Sequence, residues 1–184
     1  DYDGDGKSDI AVFRPSTGVW YRLNSSDGQL FARQFGTNGD LPVQADYDGD
    51  GKSDTAVFRP SNGVWYVLRS SDGGFSATKF GLNGDKPVVG DYDGDNKADF
   101  AVFRPTDRNW YLLQSSQGFK AVNFGLSGDK IMQADFDGDG QRDIAVFRPA
   151  NNAWYYLKSS DGSIVIKSFG TDGDTPLPSI FVNQ

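Results

Sequence analysis

The chain of 184 residues contains no cysteine, no histidine and no glutamate. Without cysteine there is no disulfide, and the redox compartment cannot be inferred from cysteine usage. Without histidine or cysteine, a Ser-His-Asp triad and a thiol nucleophile are excluded, and zinc and haem sites lose their usual ligands. Two aspartates could still hydrolyse a glycosidic bond, but nearly every aspartate stands at a repeated position, whereas active sites usually break symmetry. We therefore expect no enzyme.

Long hydrophobic runs are also missing, because no stretch approaches the roughly 20 apolar residues of a membrane span. No signal peptide is recognisable either. Apolar residues nevertheless make up 37% of the chain and aromatic residues 14%. This composition and length predict a single globular domain over residues 1–184 with a substantial core.

What the chain does have is a repeat, found at residues 1–45, 46–90, 91–134 and 135–179 and followed by a short tail. In the first copy, four segments rich in β-formers, at 10–14, 19–23, 30–35 and 41–45, are separated by turn residues. No helical period is present. Four short strands in about 45 residues are typical of a propeller blade, whose faces must be covered by neighbouring copies.

The sequence therefore predicts an all-β fold, a β-propeller-type repeat of four four-stranded antiparallel blades. If a blade starts at residue 41, its acidic loop joins the first and second strands, and the chain begins with a blade that lacks its first strand. Residues 175–184 align with that missing strand. We expect this C-terminal segment to complete the N-terminal blade and close the ring, or to complete a neighbouring molecule head to tail.

The most specific motif is an acidic loop, Asp-Tyr-Asp-Gly-Asp-Gly-Lys-Ser-Asp at residues 1–9, which returns at 46–54, 91–99 and 135–143. Aspartates at loop positions 1, 3, 5 and 9 repel one another unless a cation lies between them, and glycine lets the backbone turn tightly enough to aim them inward. Ca²⁺ takes six to eight oxygen ligands in flexible geometry, so we predict about four Ca²⁺ ions. The predicted ligands are the four aspartates and the backbone carbonyl at position 7 of each loop: Asp1, Asp3, Asp5, Lys7 and Asp9; Asp46, Asp48, Asp50, Lys52 and Asp54; Asp91, Asp93, Asp95, Lys97 and Asp99; Asp135, Asp137, Asp139, Gln141 and Asp143.

The alternative is that each loop is only a solvated acidic turn. This explanation is weak, because the same loop occurs at the equivalent position in all four repeats. The loop is not an EF-hand, because it closes at position 9 without the bidentate glutamate that an EF-hand needs. Four Ca²⁺ ions would change the net charge of the chain from −7 to +1. The excess negative charge is therefore explained by the predicted metal sites. A basic nucleic-acid-binding surface is not indicated.

Two further motifs recur once in each repeat. An arginine after a Phe could bind an anion, but it is better explained by pairing with an aspartate or stacking on an aromatic ring; these residues are Arg14, Arg59, Arg104 and Arg148. A Trp-Tyr pair could stack on sugars, but packing between blades is the better explanation; the pairs begin at Trp20, Trp65, Trp110 and Trp154.

Together, the acidic loop, the Ile-Ala-Val-Phe strand that follows it and the Phe-Gly before the next repeat resemble the FG-GAP/VCBS repeat family, which is related to the Ca²⁺-binding blades of integrin α-subunits. The resemblance covers all but the last five residues. It implies an extracellular bacterial or surface protein with Ca²⁺ in each blade loop, as in adhesins, lectins and accessory domains of secreted enzymes. Propellers of this kind often have seven blades, whereas this chain has four repeats, and Asn96 replaces a loop glycine.

Three functional hypotheses follow from these observations. The first is an extracellular or cell-surface structural or adhesion module that Ca²⁺ stabilises, with a protein or glycan ligand. The second is a carbohydrate-binding lectin, and the third is a subunit that assembles into a filament or ring by exchange of its C-terminal strand. We expect neither a nucleic-acid partner nor a membrane span.

Overall fold

A computed structural model describes residues 1–171 and 173–177, and nearly all of its regular structure is β-strand. Within these residues the only helix is the 3₁₀ turn Pro149–Asn151. The fifteen strands are, in chain order, β1 Ile10–Arg14, β2 Val19–Leu23, β3 Leu30–Gln34, β4 Leu41–Pro42, β5 Thr55–Arg59, β6 Val64–Leu68, β7 Phe75–Lys79, β8 Lys86–Pro87, β9 Phe100–Arg104, β10 Asn109–Gln114, β11 Gly118–Asn123, β12 Lys130–Ala134, β13 Asp143–Arg148, β14 Ala153–Leu157 and β15 Ile164–Ser168.

These strands form four antiparallel sheets, each of which is a meander of neighbouring strands. The first sheet contains β1, β2 and β3, the second β4 to β7, the third β8 to β11, and the fourth β12 to β15. The four sheets are the four blades of a β-propeller-type repeat, which confirms the predicted all-β fold. In the second, third and fourth blades the acidic loop joins the first and second strands, as the sequence predicted.

The first blade shows three strands, and the segment predicted to supply its fourth lies mostly outside the described residues. Residues 178–184 belong to that undescribed part of the chain, and the described residues 175–177 are not in a strand. The prediction that this segment closes the ring therefore stays a prediction.

The first strand of a blade is shorter than predicted wherever it contains proline. Strand β4 ends at Pro42 and β8 at Pro87, whereas β12, which has Ile131 at the equivalent position, is five residues long. The proline does not remove a hydrogen bond between the strands, because the N–H of the next residue, Val43, still donates to the carbonyl of Ala56 at 2.9 Å. Alternate residues of an antiparallel pair face the partner strand, so Pro42 stands where an N–H would point away from it. Regular pairing over the predicted strand 41–45 is reduced to two residues and an isolated bridge between Ala45 and Asp54.

The hydrophobic core lies between successive blades. Phe58 and Trp65 of the second blade pack with Val102 of the third, and Trp110 and Leu112 of the third blade pack with residues of the fourth. Each blade is therefore stabilised mainly by its neighbours, as in other repeat proteins.

Trp20, Trp65 and Trp110 are buried, as the packing interpretation predicts, whereas Trp154 of the last blade is partly buried. Trp65 and Trp110 are completely buried. Their indole N–H groups donate hydrogen bonds to the carbonyls of Phe80 and Phe124, at 2.7 and 3.2 Å. A buried indole with its single donor satisfied is not available for stacking on a sugar.

Candidate metal centre

The acidic loop is held in shape by its own backbone. In the second blade, Asp46 accepts hydrogen bonds from the N–H groups of Gly49 and Gly51, at 2.6 and 2.8 Å. Both glycines have a left-handed backbone, with φ of +82° and +83°. In the third loop, Asn96 adopts φ of +65° and donates the equivalent bond to Asp91 at 2.9 Å. Asparagine tolerates this conformation, so the substitution keeps the loop geometry.

The aspartate at position 9 anchors the loop to the rest of its blade. Asp54 is buried and accepts hydrogen bonds from the N–H groups of Tyr47 and Ser70, at 2.9 and 2.7 Å. Ser70 belongs to the turn between β6 and β7. The same carboxylate thus joins the start of its own loop to the β6–β7 turn at the same end of the blade.

Two serines in that turn bind the loop aspartates, and the sequence analysis missed them. Ser70 Oγ donates to Asp50 at 2.8 Å, and Ser71 Oγ donates to Asp48 at 2.6 Å. The sequence signal was present, since the pair recurs at the same place in every repeat, but it was interpreted only as a turn. The four pairs are Ser25 and Ser26, Ser70 and Ser71, Ser115 and Ser116, and Ser159 and Ser160.

The loops bring three carboxylates together at each site. In every cluster, one oxygen from each of three aspartates lies within 4.8 Å of the others. Position 5 completes the cluster in the first two loops, and position 9 completes it in the last two. The clusters are Asp1, Asp3 and Asp5; Asp46, Asp48 and Asp50; Asp91, Asp93 and Asp99; and Asp135, Asp137 and Asp143. Ligation by the remaining aspartates and by the carbonyl at position 7 stays a prediction.

The electrostatics of the third loop favour a bound cation. Burial raises the pKa of Asp99 to about 6, and the nearby charges of Asp91 and Asp93 also raise it, although hydrogen bonds from two backbone N–H groups oppose the change. Burial likewise raises the pKa of Asp54 and of Asp143. A carboxylate with a raised pKa holds its negative charge at a cost, which a cation would offset.

Two carboxylate oxygens in these clusters have no hydrogen-bond partner. Oδ1 of Asp48 and Oδ1 of Asp93 are both buried, and neither accepts a hydrogen bond in the described residues. Buried polar atoms are nearly always satisfied, so an unpartnered one calls for an explanation such as an ion. The all-oxygen donor set suits Ca²⁺, which prefers carboxylate and carbonyl ligands. The residues present therefore fit the predicted ion.

Successive loops are also linked to one another. The N–H of Ser53 donates to the carbonyl of Asp1 at 2.7 Å, and the N–H of Ala98 donates to the carbonyl of Asp46 at 2.6 Å. Arg142 makes the same bond to Asp91. The backbone of position 1 in one loop is thus fixed by the next blade.

The repeated arginines do not form an anion-binding ring. Arg59, for example, makes a bidentate ion pair with buried Asp40, at 2.7 and 2.9 Å, and its guanidinium lies over the ring of Tyr66 at 4.5 Å. Arg104 and Arg148 do the same with Asp85 and Asp129. Pairing with aspartate and stacking on tyrosine were the favoured interpretation of these arginines, and the structure shows both.

No helix in the described part of the chain is long and apolar enough to cross a membrane. No curated protein matches the chain significantly. Similar solved structures include streptogramin B lyase, at 12% identity and a TM-score of 0.59 over 89% of this chain and 52% of that one. Virginiamycin B lyase from Staphylococcus aureus has 10% identity and a TM-score of 0.59 over 89% and 53%. The dihydro-heme d1 dehydrogenase NirN has 12% identity and a TM-score of 0.54 over 93% and 46%.

The chain thus spans about half the length of the solved structures that it matches, and likeness at such low identity shows the fold alone. The family model of the FG-GAP-like repeat matches residues 46–102. These residues contain the second acidic loop, strands β5 to β7 of the second blade and the whole third loop. This match confirms the resemblance that the motifs indicate, with an FG-GAP-like repeat at residues 46–102.

Proposed function

We propose that this chain is a calcium-binding structural repeat module that works outside the cell. In this proposal one Ca²⁺ ion binds in each acidic loop and holds together the loop and the two strands that it joins. The observation that carries the proposal is the pair of buried, unpartnered oxygens of Asp48 and Asp93, each inside a cluster of three carboxylates.

The protein supplies little positive charge of its own to these clusters. In the second loop, the nearest cation is Arg69, whose Nε lies 3.9 Å from Asp48 and whose guanidinium mainly binds Asp72. In the first loop, the exposed ammonium of Lys7 lies 3.7 Å from Asp5. Exposed pairs of this kind contribute roughly 0–1 kcal/mol, which is small against the repulsion of several clustered carboxylates.

The stabilisation expected from the ions is large on the scale of a domain. When the free Ca²⁺ concentration is a hundred times the dissociation constant, one occupied site adds about 2.7 kcal/mol to the free energy of unfolding. Four such sites together would approach the roughly 5–15 kcal/mol net stability of a typical domain. We therefore propose that the ions are part of the fold rather than an optional ligand.

The proposed location follows from the affinity of such sites. Ca²⁺ loops of weak or moderate affinity fill only where Ca²⁺ is abundant, as it is outside the cell. An extracellular, calcium-stiffened array of blades suits a structural or adhesive role, with a protein or glycan ligand on an exposed surface.

Isothermal titration calorimetry with Ca²⁺ on the chelator-treated chain tests this proposal. We expect about four ions per chain, and about three for Asp93→Asn, which removes the unpartnered oxygen of one loop. The matched control is Asp107→Asn, which makes the same charge change in the same blade outside the loop and should still bind four. Absence of binding to the folded wild-type chain, or equal stoichiometry for both variants, would contradict the proposal.

A further inference from the structure

We propose that the outer faces of the first and last blades dock against each other between two copies of the chain, so that two chains join head to tail at two equivalent junctions. The proposal concerns a protein–protein surface and does not depend on the calcium sites. It is argued from the three junctions inside the chain, because the two outer faces carry the same residues as those junctions.

A valine on each blade packs into the blade before it. Val57, Val102 and Val146 are 1%, 0% and 0% exposed, whereas their equivalent in the first blade, Val12, is 57% exposed. At the first junction, Val57 approaches Gly36 so closely that a Cβ on the glycine would lie 3.3 Å from its methyl group and from the ring of Phe13. Val12 thus occupies the position of a junction residue but is exposed in the part of the chain that the structure describes.

The last blade carries the matching hollow. Gly170 and Phe147 are the equivalents of Gly36 and Phe13, and they border a cavity of about 290 Å³ that Trp154, Phe169, Asp174 and Leu177 also line. At the internal junctions, this position is filled by the valine of the following blade. An apolar hollow at one end of the chain and an exposed valine with the matching role at the other end indicate shape complementarity between the two ends.

The charges at the two ends are complementary as well. At each internal junction, the arginine of the following blade pairs with the aspartate that ends the preceding linker, as Arg59 does with Asp40. By the same rule, Arg14 should pair with Asp174. In the part of the chain that the structure describes, Arg14 contacts no carboxylate and bonds instead to the hydroxyl of Tyr21. The carboxylate of Asp174 accepts only from the backbone N–H of Thr171 there, while its backbone carbonyl accepts from Lys130 Nζ at 3.3 Å.

The rim of each junction is apolar, and the end faces reproduce it. Phe35 and Phe75 meet edge to face across the first junction, with ring centroids 6.3 Å apart, and Phe80 meets Phe119 in the same way at 6.4 Å. The equivalent positions at the two ends are Phe169 and Leu30, and both side chains are exposed.

A second copy is the partner that the blade arrangement favours. The chain superposes 89% of its length on about half of streptogramin B lyase, so its four blades follow the curvature of an array about twice as long. Two copies supply eight blades, which is within the usual range of four to eight for a propeller. Such a pair buries both outer faces at once and leaves no exposed apolar end.

Charge exchange across the junction is the sharpest test. Arg14→Asp and Asp174→Arg should each weaken self-association in calcium by at least tenfold, because like charges then meet at both junctions. An equimolar mixture of the two variants restores an opposite pair at both junctions, so a species of two chains should reappear in sedimentation velocity. Leu82→Asp, which puts the same charge on an exposed apolar residue away from the end faces, is the control and should associate like the wild type.

Cross-linking distinguishes this pairing from closure within one chain. Because the chain has no cysteine, Leu30→Cys together with Phe169→Cys introduces the only two thiols. A short bis-maleimide should link them between chains and double the mass in a denaturing gel. Linking within single chains, a wild-type chain that stays monomeric at all concentrations, assemblies that keep growing, or a mixture that fails to associate would each overturn the proposal.

Discussion

The first and third blades have nearly the same strands but very different surroundings. The strand Ile-Ala-Val-Phe-Arg of β1 is half exposed along its length, whereas Phe-Ala-Val-Phe-Arg of β9 is buried at its three central residues. The cause is the neighbouring blade, since the third blade is covered on both faces and the first blade on one. In this fold, burial is thus a property of the junction and not of the strand sequence. Equivalent substitutions in the two blades should therefore have unequal effects.

The largest difference in the free energy of unfolding is expected between substitutions of the equivalent arginines Arg104 and Arg14. Arg104→Ala leaves buried Asp85 without its ion-pair partner, with only the N–H of Leu82 still bonded to it, and should lower the free energy of unfolding by about 3–4 kcal/mol. Arg14→Ala should cost less than about 1 kcal/mol, because Arg14 is exposed. Both arginines stack on a tyrosine, so that contribution cancels in the comparison. Urea unfolding at a protein concentration low enough to prevent self-association measures both values, and equal losses would contradict the comparison.

A smaller difference in the free energy of unfolding is expected between substitutions of the equivalent valines Val102 and Val12. Val102→Ala removes two methyl groups from a closed junction and should cost about 2–3 kcal/mol from lost burial and the cavity left behind. Val12→Ala should cost less than about 0.5 kcal/mol in the same dilute solution. If the two ends of separate chains dock, the cost of Val12→Ala should grow as the protein concentration rises, which a concentration series of thermal melts would show.

The smallest expected effect is a difference between the third loop and the first in how their stability contributions depend on pH. Asp99 has a raised pKa of about 6, so without metal its contribution to stability is present below its unfolded pKa of about 3.9 and is lost as the pH rises through 6. For Asp9, burial acts to raise the pKa, but hydrogen bonds from Tyr2 and Ser25 outweigh it and the pKa is lowered. Its contribution is therefore present above its unfolded pKa and is lost on acidification.

Thermal melts from pH 4 to pH 7 in EDTA and in Ca²⁺ measure this effect. In EDTA, Asp99→Asn should reduce the loss of stability between pH 4 and pH 7, and Asp9→Asn should not. At pH 7, the destabilisation by Asp99→Asn should be about 2 kcal/mol larger in Ca²⁺ than in EDTA, because the ion removes the cost of the charge. Identical behaviour of the two variants would remove the distinction between the loops.

Much of this structure could be predicted from the sequence because the signals are local and repeated. Strands β1 and β2 begin and end where the turn residues Pro15 and Gly18 and the β-formers indicate. The position of the acidic loop between two strands followed from its place in the repeat. Local signals of this kind are strongest when several copies agree.

What the sequence could not supply depends on contacts between segments far apart in the chain. The serines that bind Asp48 and Asp50 lie about 20 residues away in another turn. The end of β4 at Pro42 was not predicted either, because it depends on how this segment pairs with β5 beyond the acidic loop. The exposure of Val12 could not be predicted either, because its sequence context is that of buried Val57.

A crystal structure of the chain grown in millimolar Ca²⁺, with anomalous data collected for calcium, tests the central claim most directly. The account predicts four anomalous peaks, one in each acidic loop, with aspartate oxygens at about 2.3–2.6 Å from the ion. The oxygens of Asp48 and Asp93 that have no partner should be among the ligands. Four loops without peaks, with their carboxylates turned to solvent, would contradict it.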